Sequence, residues 1–439
     1  MKKALKVAAV LATAASFMLT GCSDPGAGSG TQNNGPATWP AANSDLKGTK
    51  LTIWAAQNSN KVPDSVVAGF EKLTGADVNV VTIPDPYEQG IQTKVATGDK
   101  PDLAFWQPTG SQLTALNATT NLQSLDGAPW IDSTKPALKD ITGILDKTRY
   151  AALITTPAVE GVYYNKEVFE KAGITTAPKD WDSFIKLGRD LKAKGVTPFY
   201  EMGKDRWATQ WWVHVQLADA AKDGLWDRVN TNKEKFTDPT IQGAINTYSG
   251  LIKEGLFNDD IKTATFEDQA DALLAGKAAM AVQVNSFFTQ LQSKTDTATL
   301  NKKIGFFPIA PSGNIGTFIP DQSNALVAFK TGDAKREAAS RQLLSYWLGD
   351  GYADFVAKQS TISLQDGVKT PATVPDALLA VSDSLDSAVG SMQTKAIANP
   401  DLYIFLADMI QGTKTPEEVA KATQDQFAQL AKAQGAAGF

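Results

Sequence analysis

The chain has 439 residues, 43% apolar and 20% charged, which leaves room for two domains with full cores in an ordinary globular protein. A net charge of −5 without any basic run excludes the electrostatic footprint of a protein that binds nucleic acid or an anionic lipid surface. One histidine and one cysteine exclude the common zinc sets and any internal disulfide, so neither a metal nor a cofactor is expected.

In chain order, Lys2, Lys3 and Lys6 precede an apolar run, Val7 to Leu19, that is too short to span a bilayer. The run ends in Leu19-Thr20-Gly21-Cys22, which resembles the lipobox of bacterial lipoproteins. That resemblance implies a signal peptide over 1–21 and acylation of Cys22, with the lipid holding the protein at the extracytoplasmic face of the cell membrane. An ordinary signal peptide with an incidental cysteine is the alternative. The following Gly-, Asn-, Pro-, Thr- and Ala-rich stretch has almost nothing to bury, so 22–46 reads as the lipidated cysteine and a flexible tether.

The body then alternates between strand and helix. Leu51 to Trp54 is a strand, Gln57 to Asn60 a polar loop, and Val66, Val67, Phe70 and Leu73 mark one side of a helix closed by Gly75. Val78 to Ile83 is a strand, Glu88 to Thr97 a helix, Gly98 to Asp102 a turn, and Leu103 to Trp106 a third strand. This alternation predicts parallel sheets covered on both faces, with ligands gathering beyond the carboxyl ends of the strands. Trp54, Asp85 and Trp106 fall at those ends.

From Gly161 the sequence predicts a strand through Tyr164, an N-cap at Asn165, a helix from Lys166, and Gly173 past its end. A second helix runs from Trp181 to Lys194, and a strand from Val196 to Tyr200. Helices follow at Thr209 to Ala221, Pro239 to Glu254 and up to Ala275, then strands at Ala279 to Val284 and Ala325 to Phe329. Asp333 to Leu348 is a long helix, and Thr415 with Glu418 has the spacing of a capping box before the last one.

The string Tyr163-Tyr164-Asn165-Lys166, with Phe169, Ala172-Gly173-Ile174, Pro178 and Trp181, resembles the signature of the family 1 extracellular solute-binding proteins. Gly98 to Asp102, Gly276 to Met280, and Gly412 followed by Thr415 to Val419 are similar to further motifs of that family, in the same order. The resemblance implies an α/β, two-lobe periplasmic-binding-protein-like fold of type II, each lobe a sheet flanked by helices, joined by a hinge. By position, crossings are expected near Glu160, Phe318 and Lys358, which gives 47–160 with 318–358 as lobe 1 and 161–317 with 359–439 as lobe 2.

It also implies a function: a monomer that captures a carbohydrate, an oligosaccharide above all, and delivers it to the permease subunits of an ABC transporter. Where the family has a sugar-stacking Trp after Ala279-Met280, this chain has Val284-Asn285-Ser286. Sugars present apolar faces to aromatic rings and hydroxyl edges to fixed polar groups. Trp54, Tyr87, Trp106 and Trp207 can supply faces; Gln57, Asn58, Asp85, Glu160, Asp205, Asn285, Ser286 and Asp321 can supply edges. By resemblance, Trp106, Glu160 and the Asp205–Trp207 pair stand where family members contact sugar.

Other readings compete. His214 lies in an apolar helix and reads as structural; Trp181 and Trp347 read as core; of Trp211 and Trp212 at most one can face a ligand. Ser183 with Lys186, and Lys330-Thr331-Gly332, match two of the three penicillin-recognising motifs, but the third is missing. A secreted glycan hydrolase would need a pair of carboxylates, and nothing singles out one pair among 47 acidic residues. No catalytic residue is therefore expected.

Overall fold

The computed structural model describes residues 38–56, 62–84, 87–319 and 325–439. The leader, Cys22, Gln57, Asn58, Asp85 and Asp321 lie outside the described residues. Among the described residues no helix is long and apolar enough to cross a membrane.

The strands are Lys50–Ala56 (β1), Asp77–Ile83 (β2), Leu103–Phe105 (β3), a hairpin of Ile144–Leu145 (β4) and Thr148–Arg149 (β5), and Ala151–Leu153 (β6). They continue with Ala158–Asn165 (β7), Thr197–Phe199 (β8), Ala278–Gln283 (β9), Ile304–Phe307 (β10), Thr317–Ile319 (β11), Ala325–Ala328 (β12) and Val389–Gly390 (β13). One sheet has the order β2-β1-β3-β12-β6, the other β13-β11-β7-β9-β8, with β10 also paired to β7.

Both sheets are mixed, which corrects the expectation of parallel sheets. In the first, β1 pairs in parallel with β2 and β3, but β12 runs antiparallel to β3 and β6. The reason is topological. β12 enters from the other sheet instead of returning through a helix on its own, so no crossover forces it parallel. The chain passes between sheets after Leu153, again after Ile319, and a third time beyond Gln365. The third passage is later than Lys358 because, after helix Tyr352–Gln359, the chain turns at Ser360 (φ 46°) and returns. Leu364 then accepts from Lys135 N–H, and Gln365 bridges Thr134.

β7 organises the second sheet. Its first half pairs with β11 and its second half with β10, while β9 lies along the other side. Gly161 is required there: a Cβ would stand 2.5 Å from Phe306 Cε2. Beneath the sheet, buried Trp212 packs among Phe184, Phe199, Tyr248 and Phe257 with ring centroids 4.9–5.8 Å apart.

Local signals are realised as read. Asn165 Oδ1 accepts from Val168 N–H, Gly173 has φ 76°, and Thr415 and Glu418 form a reciprocal capping box. Ser183 proves to be the third residue of another capping box, paired with Asp180, so its hydroxyl is a helix cap rather than a nucleophile. Thr331 and Gly332 donate their N–H groups to Glu337 Oε1 in a turn before helix Ala334–Trp347. Both penicillin-type motifs are thus explained locally.

Two segments depart from the sequence reading. The tether ends earlier than residue 46: Trp39 stacks edge-on against Trp130 at 5.0 Å, and its Nε1–H donates to Asp126 O. Arg341 donates to Thr38 O, Gln342 donates to Ala42 O and Ser44 O, and Leu46 is buried. One tryptophan at the end of a polar tract supplies enough apolar area to dock it. The helix expected over 209–221 is broken into Trp211–His214, a 3₁₀ turn Val215–Leu217 and Ala218–Lys222.

Candidate functional site

The two sheets meet where β6 leads into β7 and β11 leads toward β12. A small apolar cavity there is lined by Pro108, Leu153 and Pro157 on one side and Phe318, Ile319 and Thr394 on the other. Just inside the second sheet, Glu160 is opposite Thr317 in the β7–β11 register, so both side chains share a face. Glu160 Oε1 and His214 Nδ1 are 2.8 Å apart, both side chains fully buried. Burial pushes the Glu160 carboxyl up to about 7, against the opposing effects of the His214 charge and hydrogen bond.

Five buried polar atoms of this group have no partner among the described residues. They are Glu160 Oε2, His214 Nε2, Trp211 Nε1, Thr317 Oγ1 and Ser391 Oγ. Trp211 and His214 rings lie 5.8 Å apart, and Ser391 N–H donates to Phe318 O beside Thr317. An unmade hydrogen bond at a buried polar group costs about 1–3 kcal/mol. Such atoms call for a hydrogen-bonding partner, which ordered water or a polar ligand group can supply.

The aromatic faces expected at the strand ends are mostly inside. Trp106 is fully buried, and its Nε1–H donates to Gln112 O at 3.0 Å. This corrects the expectation of a cleft-facing indole: helix Gly110–Ala115 folds back over the ring that follows β3. Tyr87 is buried too, its hydroxyl donating to Phe105 O at 2.8 Å and lying 3.2 Å from Trp54 O, so it ties β1 to β3. Trp54 is buried, with Lys94 Nζ 5.4 Å from its ring centroid. None of the three presents a ring to solvent.

Trp207 differs. It is half-buried, held edge-on by Trp211 at 6.2 Å and Phe266 at 5.0 Å. Its neighbour Arg206 is exposed and strained at φ 60°. Asp205, expected as a hydroxyl acceptor, is committed elsewhere: its Oδ2 accepts from Phe266 N–H at 2.6 Å, at the start of helix Phe266–Leu274. Asn285 Oδ1 accepts from Val159 N–H at 2.8 Å and so braces β7, with half-buried Ser286 beside it.

Across the join, helix Gly110–Ala115 lies against helix Met392–Lys395. Tyr403, on the second lobe, has its hydroxyl pKa raised by burial first and by Asp401 next, with Arg206 opposing and Glu88 of the first lobe adding. Glu88 also accepts from Gln107 Nε2 at 3.0 Å. Sequence reasoning missed Thr317, Ser391, Glu88 and Tyr403, and took His214 as structural only. The one usable signal was Thr317, next to Phe318 at an expected crossing.

The strand order, with three passages between two mixed sheets, defines the two-lobe type II periplasmic-binding fold. The chain belongs to the bacterial extracellular solute-binding protein family, whose model matches residues 55–354. It is 26% identical over 248 residues to the multiple sugar-binding protein of Streptococcus mutans, covering 54% of this chain and 58% of that one. It is 27% identical over 282 residues to the diacetylchitobiose binding protein NgcE of Streptomyces coelicolor, covering 58% and 57%. The matched region thus spans a little over half the length of these relatives. Among solved structures, a chitin oligosaccharide binding protein superposes with a TM-score of 0.70 at 20% identity, over 88% of this chain and 99% of that one. The apo form of RafE from Streptococcus pneumoniae gives 0.71 at 18% identity, over 90% and 100%.

Proposed function

We propose that this protein is the carbohydrate-capturing component of an ABC importer. The observation that carries the reading is the set of buried polar atoms without partners where the two sheets join. Sugar hydroxyls are suitable partners for such atoms, and the half-buried ring of Trp207 offers a stacking face. Relatives named for binding multiple sugars, diacetylchitobiose and alpha-glucosides support the same reading. Capture would proceed by closure of the two lobes, the sugar stabilising the closed form through contacts to both. The closed protein, a monomer, would then meet the permease subunits. The glycan-hydrolase alternative has no support, since the family is one of solute-binding proteins rather than enzymes.

Thermal melting with diacetylchitobiose, raffinose and maltose tests this directly. At least one sugar should raise the melting temperature without being shortened. For that sugar, Trp207→Ala should cost roughly 1–3 kcal/mol of affinity, about ten- to two-hundred-fold. No shift with any sugar of a wider panel would sink the carbohydrate reading. Wild-type affinity in the variant would remove only Trp207.

The anchor is a separate part of the proposal. Acylation at Cys22 would hold the protein at the extracytoplasmic face of the cell membrane, on a tether shortened to the residues before Trp39. Cys22→Ala should then leave the leader unprocessed or move the protein out of the detergent phase. Equal partitioning of variant and wild type would rule out lipidation at this residue.

A further inference from the structure

The only histidine of the chain sits 2.8 Å from a fully buried carboxylate at the join of the two sheets. We propose that His214 is a positioning residue for ligand capture: it holds Glu160 by one oxygen so that the other meets a ligand hydroxyl, and thereby links affinity to pH. This rests on the carbohydrate reading above and adds to it a role for a side chain that sequence reasoning treated as structural.

The geometry is specific. Glu160 Oε1 is taken by His214 Nδ1, leaving Oε2 as the acceptor that still lacks a donor. Thr317 Oγ1, on the same sheet face, and Trp211 Nε1, on the helix that carries His214, are likewise unpartnered among the described residues. A core ion pair with no other purpose would have its remaining lone pairs satisfied by the protein, because an incomplete buried pair is costly. In this pair Glu160 Oε2 and His214 Nε2 are both left without a partner among the described residues.

The chemistry follows from the surroundings. The elements around Glu160 bring Thr317 from β11 and Trp211 and His214 from their helix, and of these only His214 is ionisable. Burial raises the Glu160 pKa to about 7, and His214 is the group that opposes the rise. A carboxylate accepts a hydroxyl proton strongly, whereas a protonated carboxyl has lost acceptor capacity. Affinity should therefore strengthen as pH rises through the titration of Glu160. Glu201, the other buried carboxyl raised to about 7, accepts from Met202 N–H and Tyr248 O–H elsewhere in the second lobe and contributes to stability profiles, not to this pair.

The test measures diacetylchitobiose and raffinose affinity from pH 5.5 to 8.5 for wild type, Glu160→Gln and His214→Gln. Glu160→Gln should bind more weakly and show a flat profile. His214→Gln keeps a donor but loses the opposing charge, so its midpoint should move to higher pH. Below that midpoint it should lose about ten-fold in affinity for each unit of the move. A His214→Gln midpoint equal to that of wild type overturns the proposal while leaving the carbohydrate reading intact. If neither sugar binds, or a variant does not fold, the single imidazole decides by NMR, because its signals need no assignment. A downfield proton signal from an Nδ1–H bonded to a carboxylate is expected in wild type, and its absence overturns the pairing. With a bound sugar, an Nε2 resonance that does not move on saturation also overturns it.

Discussion

Trp106→Ala is expected to lower folding stability by about 3–5 kcal/mol, the cost of emptying a large, fully buried aromatic site. The ring stands directly after β3, the central strand between β1 and β12, and its Nε1–H donates to Gln112 O. Truncation would remove the packing and leave the Gln112 carbonyl without that donor. Helix Gly110–Ala115 should loosen first, since it is short and folded directly onto the indole. Denaturant unfolding of the variant measures the loss, and sugar titration alongside it separates packing from recognition. A variant that melts like wild type but binds sugar ten-fold more weakly would return Trp106 to the cleft.

Asp102→Ala should cost about 1–3 kcal/mol, because it removes a fully buried acceptor from Thr52 N–H and from the guanidinium of Arg336, whose own side chain is 37% exposed and can be rehydrated. Asp102 is fully buried and accepts three hydrogen bonds: Thr52 N–H at 2.7 Å, Arg336 Nε at 3.0 Å and Arg336 Nη2 at 2.9 Å. Its own backbone joins β1 and the end of β12, through Thr52 O and Phe329 N–H. One residue therefore ties two strands to helix Ala334–Trp347. Asp102→Asn should lose less, since an amide oxygen can still accept from Thr52 N–H, while one guanidinium contact is lost. Chemical denaturation of both variants gives the order; an alanine variant as stable as the asparagine one would show that the fork to Arg336 carries no net stability.

The turn around Asp102 illustrates how much the sequence held. Gly98 to Asp102 was legible as a turn before a strand, and Gly98 adopts φ 90° as such a turn requires. The load on its last residue was not legible, because Arg336 stands 234 positions later. Caps behaved in the same way. Asn165, Thr415 and the glycine at 173 act within three or four residues of themselves, so the local string determines them. The family, too, was readable from short motifs in a fixed order, and its model matches residues 55–354.

Tertiary structure alone decided which way the candidate side chains face. Trp54 and Trp106 sit near strand ends, where the sequence placed them, and Tyr87 opens helix Tyr87–Ala96, yet each is buried by contacts that no local pattern specifies. Asp205 was spent on the N-terminus of a helix more than sixty residues away, and His214 found its carboxylate 54 residues back in the chain. Trp39 docked a stretch whose composition reads as free linker. The sequence by itself determined the turns, the caps, the two-lobe family and the residue types of the site. Burial, partner choice and the reversed strand β12 came from contacts between distant segments, because a side chain's environment is set by what packs onto it and not by its neighbours in the chain.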